Sequence, residues 1–170
     1  VFIFPSFQPF LRKRMNGVSG YTPHAGTVHI YLSHARGWKQ AVLQTVAHEF
    51  VHAVTLKHHR WETLLDSLVF EGIAEHFREE AVGGEIAPWS RALNASQSKD
   101  VFRGLRKSLH SKSQKLYHSV FFGSEKFPLW AGYAVGYQLV KSFRKRVPQL
   151  ECKQILRLTP EEILKKSGFN

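Results

Sequence analysis

At 170 residues, with 43% hydrophobic and 13% aromatic content, the chain is long enough to bury a core of its own, and one globular domain over residues 1–170 is expected. The single cysteine, Cys152, excludes an internal disulfide and any zinc site built from several thiolates, which makes a reducing, cytoplasmic setting the expectation. The net charge of +11 is uneven, with 10 Lys/Arg against 9 Asp/Glu in residues 1–100 and 14 against 4 in residues 101–170; without a nucleic-acid-binding motif it reads as a solvated basic face, and nucleic acid is not an expected partner.

Val1-Phe2-Ile3-Phe4 is rich in strand formers and stops at Pro5, and Phe7–Arg14 reads as a short connection with helical character. Val1 is not a Met and opens directly on this strand, which leaves an upstream segment possible; no signal peptide or membrane-spanning run is visible. The stretch 17–23 (Gly-Val-Ser-Gly-Tyr-Thr-Pro) reads as turn, and Thr27–Leu32 alternates Val, Ile and Leu with Thr, His and Tyr, the pattern of a half-buried strand.

From Gln40 to Lys57 there is no Gly or Pro, and the apolar spacing is helical, predicting burial of Val42, Leu43, Val46, Ala47, Phe50, Val51 and Val54. A second helix is predicted over Trp61–Val82 with Gly83-Gly84 as its stop, and a third from Pro88 into the 101–110 region. Ser111–Ser124 is polar and mixed and reads as a long loop; Phe127–Arg146 returns to helical spacing and puts Tyr133 and Tyr137 on one face. A short helix is expected over 149–157, and a last one from Thr159 (N-cap), Pro160 and Glu162 to Gly168. The sum is an α+β fold, mainly helical, with a small N-terminal sheet packed near the Gln40–Lys57 helix.

That helix carries His48-Glu49-Phe50-Val51-His52. Residues four apart on a helix lie one above the other, so His48 and His52 can direct both imidazoles at one metal ion. Glu49 follows the first histidine, which sets its carboxylate beside such an ion, where a general base for an activated water is needed. His58 and His59 stand off this spacing near the helix end and read as structural. Glu71 comes after a gap of eighteen residues from His52, among Val69, Phe70, Ile73 and Ala74, where a carboxylate is costly to bury unless a cation pairs it. Gly72 weakens a helix interior, which points to a close helix approach at this level.

Gly-Tyr-Thr-Pro at 20–23, His-Glu-x-x-His at 48–52, Leu-x-Phe-Glu-Gly-Ile-Ala-Glu-His-Phe at 68–77, Ala-Gly-Tyr-Ala-Val-Gly-Tyr at 131–137 and Ser-Gly-Phe at 167–169 together resemble the YjaZ-like family of predicted zinc-dependent proteases, of the gluzincin type. The resemblance covers nearly all of the chain. It implies a zincin-like fold, a zinc ion (Zn2+) on His48, His52 and Glu71, and Glu49 as the catalytic carboxylate. Related gluzincins stabilise the oxyanion with a later Tyr or His; Tyr133 and Tyr137 are the first candidates and His118 a third. In thermolysin-like enzymes a carboxylate one turn after the third ligand orients the first histidine, which pairs Glu75 with His48. An edge strand near the metal helix pairs with an extended substrate in such enzymes, which makes the open side of Thr27–Leu32 the candidate peptide edge.

The expected activity is hydrolysis of peptides or partly unfolded proteins through a zinc-activated water. The alternatives are a catalytically silent zinc-fold binding or regulatory protein, against which Glu49 argues, and a basic nucleic-acid-binding module, against which the lack of a recognisable motif argues.

Overall fold

A computed structural model describes residues 1–169, with strands confined to the first 32 residues and, apart from one short helix among them, the helices after them. Strands β1 (Phe2–Pro5), β2 (Val18–His24) and β3 (Thr27–Leu32) form a sheet in the order β1-β3-β2, with β1 parallel and β2 antiparallel to β3. The register sets Ile3 beside Ile30 and Gly20 across from it, and Tyr21 opposite His29. Val28 and Ile30 turn their side chains to one face and, with Val18, Ala41 and Ala53, make a small apolar core under the sheet. Phe4, His29 and Tyr31 gather on the other face.

Two expectations for this region are corrected. Residues 18–24 are a strand rather than a turn: on an edge the missing N–H of Pro23 is tolerated, and Gly20 has a steric reason described below. β3 is the central strand, paired on both sides, so the open edges belong to β1 and β2, and of these only β2 lines the cleft described below.

Helix α1 (Pro9–Arg14) joins β1 to β2, and α2 (Trp38–Thr55) follows the sheet. Helix α2 lies between the small sheet core, to which it gives Ala41 and Ala53, and the main core, to which it gives Val51. Leu43 and Phe50 are not part of either: they are 57% and 54% exposed, because the sheet and the next helix already occupy the other faces of α2.

Helix α3 (Leu64–Val82) starts on a capping box in which Thr63 accepts from the Asp66 N–H and Asp66 accepts from the Thr63 N–H, three residues later than the apolar pattern suggested. From Leu64 to Glu75 it is buried at every residue but Asp66, and it crosses α6 (Ala131–Arg146). A Cβ on Gly72 would overlap the Gly136 carbonyl, and one on Gly136 the Leu68 carbonyl, so the two backbones meet here as glycine alone permits.

The third helix, α4 (Ala95–Leu105), begins at the Asn94/Gln97 capping box, not at Pro88. Residues 111–124 are not a loop: α5 (Gln114–Phe122) is capped by Ser113 and stopped by Gly123 at φ 89°, with Leu116, Tyr117, Val120 and Phe121 on its packed face. Helix α6 starts at Ala131 rather than Phe127, after Pro128 and Trp130. Helices α7 (Cys152–Ile155) and α8 (Pro160–Ser167) complete the chain, α8 with the predicted Thr159 cap and Gly168 stop. Among the described residues no helix is long and apolar enough to cross a membrane.

Candidate metal centre

His48 and His52, one turn apart on α2, face Glu71 on α3 across the α2–α3 interface. His48 Nε2 lies 2.9 Å from His52 Nε2 and 3.1 Å from Glu71 Oε2, and His52 Nε2 lies 3.6 Å from the same oxygen. In a tetrahedral zinc site with bonds near 2.0–2.1 Å, ligand atoms stand about 3.3 Å apart, so this triangle is the size of one coordination face.

The charges agree with the distances. Glu49, Glu71 and Glu75 are buried carboxylates and Arg78 is the one buried guanidinium beside them, which leaves an excess of negative charge for a divalent cation to cancel. Without the ion, burial opposes a charge on His48 but the hydrogen bonds and charges of Glu71 and Glu75 outweigh it, holding its pKa well above the usual imidazole value. Burial would raise the Glu71 pKa, but the two histidines bring it down to about 2. The residues present therefore fit a metal ion: two imidazole nitrogens and one ionised carboxylate oxygen.

Glu75 Oε1 lies 2.8 Å from His48 Nδ1. An ionised carboxylate can only accept there, so Nδ1 carries a proton and, in the neutral imidazole that a metal requires, the Nε2 lone pair is turned to the cluster. Glu75 is itself held from its own helix and from the segment after it: Arg78 Nη2, three residues on along α3, donates to Oε2 at 3.1 Å, while Trp89 Nε1 donates to Oε1 at 2.9 Å and Ser90 Oγ to Oε2 at 3.3 Å. Arg78 also donates to the Glu85 carbonyl at 3.3 Å, which fastens the segment after α3 over the site.

Glu49 lies on the sheet side of α2. The Thr22 hydroxyl donates to Glu49 Oε2 at 2.6 Å, and a Cβ on Gly20 would overlap the Glu49 side chain. Strand β2 thus both holds and leaves room for this carboxylate.

Above the cluster opens a cleft of about 1110 Å³, bounded by β2, α1, the 84–91 segment, α5 and the start of α6. Tyr133 lines it. Burial, with the charges of Glu71 and Glu49 nearby, pushes the Tyr133 pKa well up, so its hydroxyl stays a donor. Tyr137 does not reach the cleft: its hydroxyl donates to Glu79 Oε2 at 3.1 Å and its ring stacks on His76 at 4.4 Å, because four residues further along α6 the helix has moved about 6 Å away along its axis. His118 is exposed on α5 and packs on Phe122, while its neighbour Tyr117 is the residue that lines the cleft, with its pKa raised by burial and by Glu71. His59 is structural, bonded to the Leu156 carbonyl at 2.9 Å.

Sequence reasoning did not single out Tyr117, Trp89, Ser90 or Arg78. Tyr117 sat in a segment read as loop, Trp89 and Ser90 reach Glu75 from outside α3 by contacts that leave no local pattern, and Arg78 stands at a local helical spacing from Glu75 that does not tell its burial beside the cluster. For Thr22 and Gly20 a signal existed, the Gly-Tyr-Thr-Pro text, but not their role.

Residues 1–165 match the model of a family described as "Predicted Zn-dependent protease (DUF2268)". The chain belongs to this family. Among curated proteins it is 27% identical over 168 residues to YjfC of Bacillus subtilis (strain 168), covering 90% of this chain and 56% of that protein. It is 29% identical over 111 residues to YjaZ of the same strain, covering 61% of this chain and 42% of that protein. The chain thus spans about half the length of these relatives. No solved structure matches it.

Proposed function

We propose that the chain is the catalytic domain of a zincin-like, gluzincin-type zinc peptidase that cleaves peptides or partly unfolded proteins. The observation that carries this reading is the meeting of His48 Nε2, His52 Nε2 and Glu71 Oε2 at coordination distances on the floor of a large cleft, with a second buried carboxylate, Glu49, held at its side. Zinc bound by these three residues supplies Lewis acidity, acidifying a water and polarising a carbonyl.

Glu49 accepts the proton of the attacking water and returns it to the leaving amine. Thr22 keeps the carboxylate aimed while this happens. Tyr133 donates a hydrogen bond to the oxyanion, with Tyr117 as the second donor lining the same cleft. The open edge of β2 receives the substrate as an added strand, since Val18–Pro23 line the cleft and β2 has a neighbouring strand on one side only.

The test is metal analysis of the purified protein together with cleavage of a diverse peptide pool, with Glu49→Gln as control. The expected result is one zinc per chain in both proteins and cleavage by the parent alone. Stoichiometric zinc without cleavage of any peptide would overturn the catalytic reading in favour of a zinc-holding binding protein.

A further inference from the structure

Three aromatic side chains lead away from the metal centre along one wall of the cleft. Trp89 is anchored by its indole N–H to Glu75, the partner of His48. Its ring meets that of Trp130 at 6.2 Å, and Trp130 meets Phe10 of α1 at 6.1 Å, both edge-on at 73° and 67°. None of the three belongs to the apolar cores; Phe10 is 42% exposed and the two indoles are half-buried.

Trp130 is held in an unfavourable backbone state. It adopts φ 68° and ψ 17°, the left-handed region that a bulky side chain avoids and glycine enters freely. The residue directly before α6 could be glycine at no cost to the turn, yet this position presents an indole to the cleft. Strain of this kind persists where the surrounding structure over-determines it, and it clusters at ligand-contacting positions.

The spacing of the rings has a counterpart in peptide geometry. Alternate side chains of an extended strand lie on one face about 6.6–6.8 Å apart. A row of rings spaced 6.2 and 6.1 Å apart offers one aromatic surface to each of successive alternate side chains. Such a wall also accepts the aliphatic or aromatic body of a side chain without demanding a hydrogen bond.

We propose that Trp89, Trp130 and Phe10 form an extended subsite that selects peptides with large apolar side chains at alternating positions on one side of the scissile bond. This rests on the peptidase reading for the bond that is cut, but the subsite itself is a binding property. Trp89 is bonded to Glu75 and Glu75 to His48, so the near end of the wall adjoins the candidate metal centre.

The experiment uses the full-length, zinc-loaded Glu49→Gln protein, which binds without turnover. Fluorescently labelled octapeptides of one composition carry three Leu or Phe residues either at alternate or at contiguous positions in a Ser/Ala background, and anisotropy reads Kd. The alternate pattern should bind about 10-fold more tightly, the scale on which an apolar pocket discriminates. Adding Trp130→Gly, which relieves the backbone, or Phe10→Ala, at a partly exposed ring, should bring the two patterns within about 2-fold while zinc content stays at the parent level. Equal or undetectable binding of the two patterns, or a preference that survives in both variants, would overturn the proposal; should Trp130→Gly not fold, Phe10→Ala decides. Cleavage of the same peptides by the protein that retains Glu49 is scored separately: patterned binding without cleavage supports the wall and refutes the peptidase reading, and cleavage without pattern does the reverse.

Discussion

The Thr22 hydroxyl reaches Glu49 Oε2 at 2.6 Å, and Gly20, on the same strand, has no Cβ to displace that carboxylate. A base that has moved by an ångström can cost about 100-fold in rate, so Thr22→Val should lower kcat by a factor of about 10 to 100 with zinc content unchanged, and Thr22→Ser should restore most of it. Gly20→Ala should act in the same direction through the overlap its Cβ creates. Steady-state kinetics with metal analysis checks both, and a Thr22→Val protein with parental kcat removes the role. Glu75 differs, because it is 1% exposed and holds a buried guanidinium as well as His48. Glu75→Ala should weaken zinc binding by about 10 to 100-fold through loss of the imidazole partner. It should also destabilise the protein by about 3–5 kcal/mol, since Arg78 is left short of its charge partner. A competition titration against a chelator and a urea melt separate the two effects; unchanged zinc affinity would leave Glu75 a structural partner of Arg78 alone.

Among the elements, Gly72 and Gly136 let α3 and α6 cross in backbone contact, one residue from Glu71. A methyl group there must separate the helices, so Gly72→Ala should cost about 1–3 kcal/mol in urea denaturation despite the better helix propensity of alanine. A Gly72→Ala protein as stable as the parent would mean the crossing yields easily. The sequence pointed to a close helix approach at Gly72 but not to its partner, Gly136 on α6. Helices α2, α3, α6 and α8 were legible because each is a long periodic run or carries a cap, and the approach of His48 to His52 was legible because a four-residue helical spacing is geometry already present in the text. The fault lines are equally physical. Strand β2 was taken for a turn because Gly20 and Pro23 are strand breakers in general, while here one makes room for Glu49 and the other sits on an edge. Helix α5 is only nine residues long between polar segments, too short for its apolar face to stand out, and Tyr117 was lost with it. Tyr133 and Tyr137 were indistinguishable by sequence, and only the direction in which α6 leaves the site separates them.

For the molecule as a whole, the three candidate ligands His48, His52 and Glu71 join the sheet-bearing helix α2 to the central helix α3, so a metal bound by them would link its occupancy to global stability. The pH dependence follows from the shifted groups. In the zinc-free protein the folded-state pKa of His48 lies above its ordinary 6.5, so its contribution is fully present below that value and fades as pH rises toward the folded pKa. Glu71, lowered from 4.5 to about 2, contributes above 4.5 and fades as pH falls toward 2; Glu75, also lowered, acts with the same sign. The zinc-free protein should therefore be most stable between those windows, near pH 5 to 6, by about the reasoning that ties each shift to bound protons. Zinc reverses the upper limb. It requires the unprotonated imidazoles, so as pH rises above 6.5 the zinc-free fold loses the advantage of its protonated His48 while zinc meets less competition from that proton. The gap in Tm between zinc-loaded and chelator-treated protein should widen steadily from about pH 6 to about pH 8. Differential scanning calorimetry across that range provides the measurement. A constant gap, or a chelator-treated protein that gains stability as pH rises through neutrality, would show that the raised pKa of His48 does not govern the coupling between metal and fold.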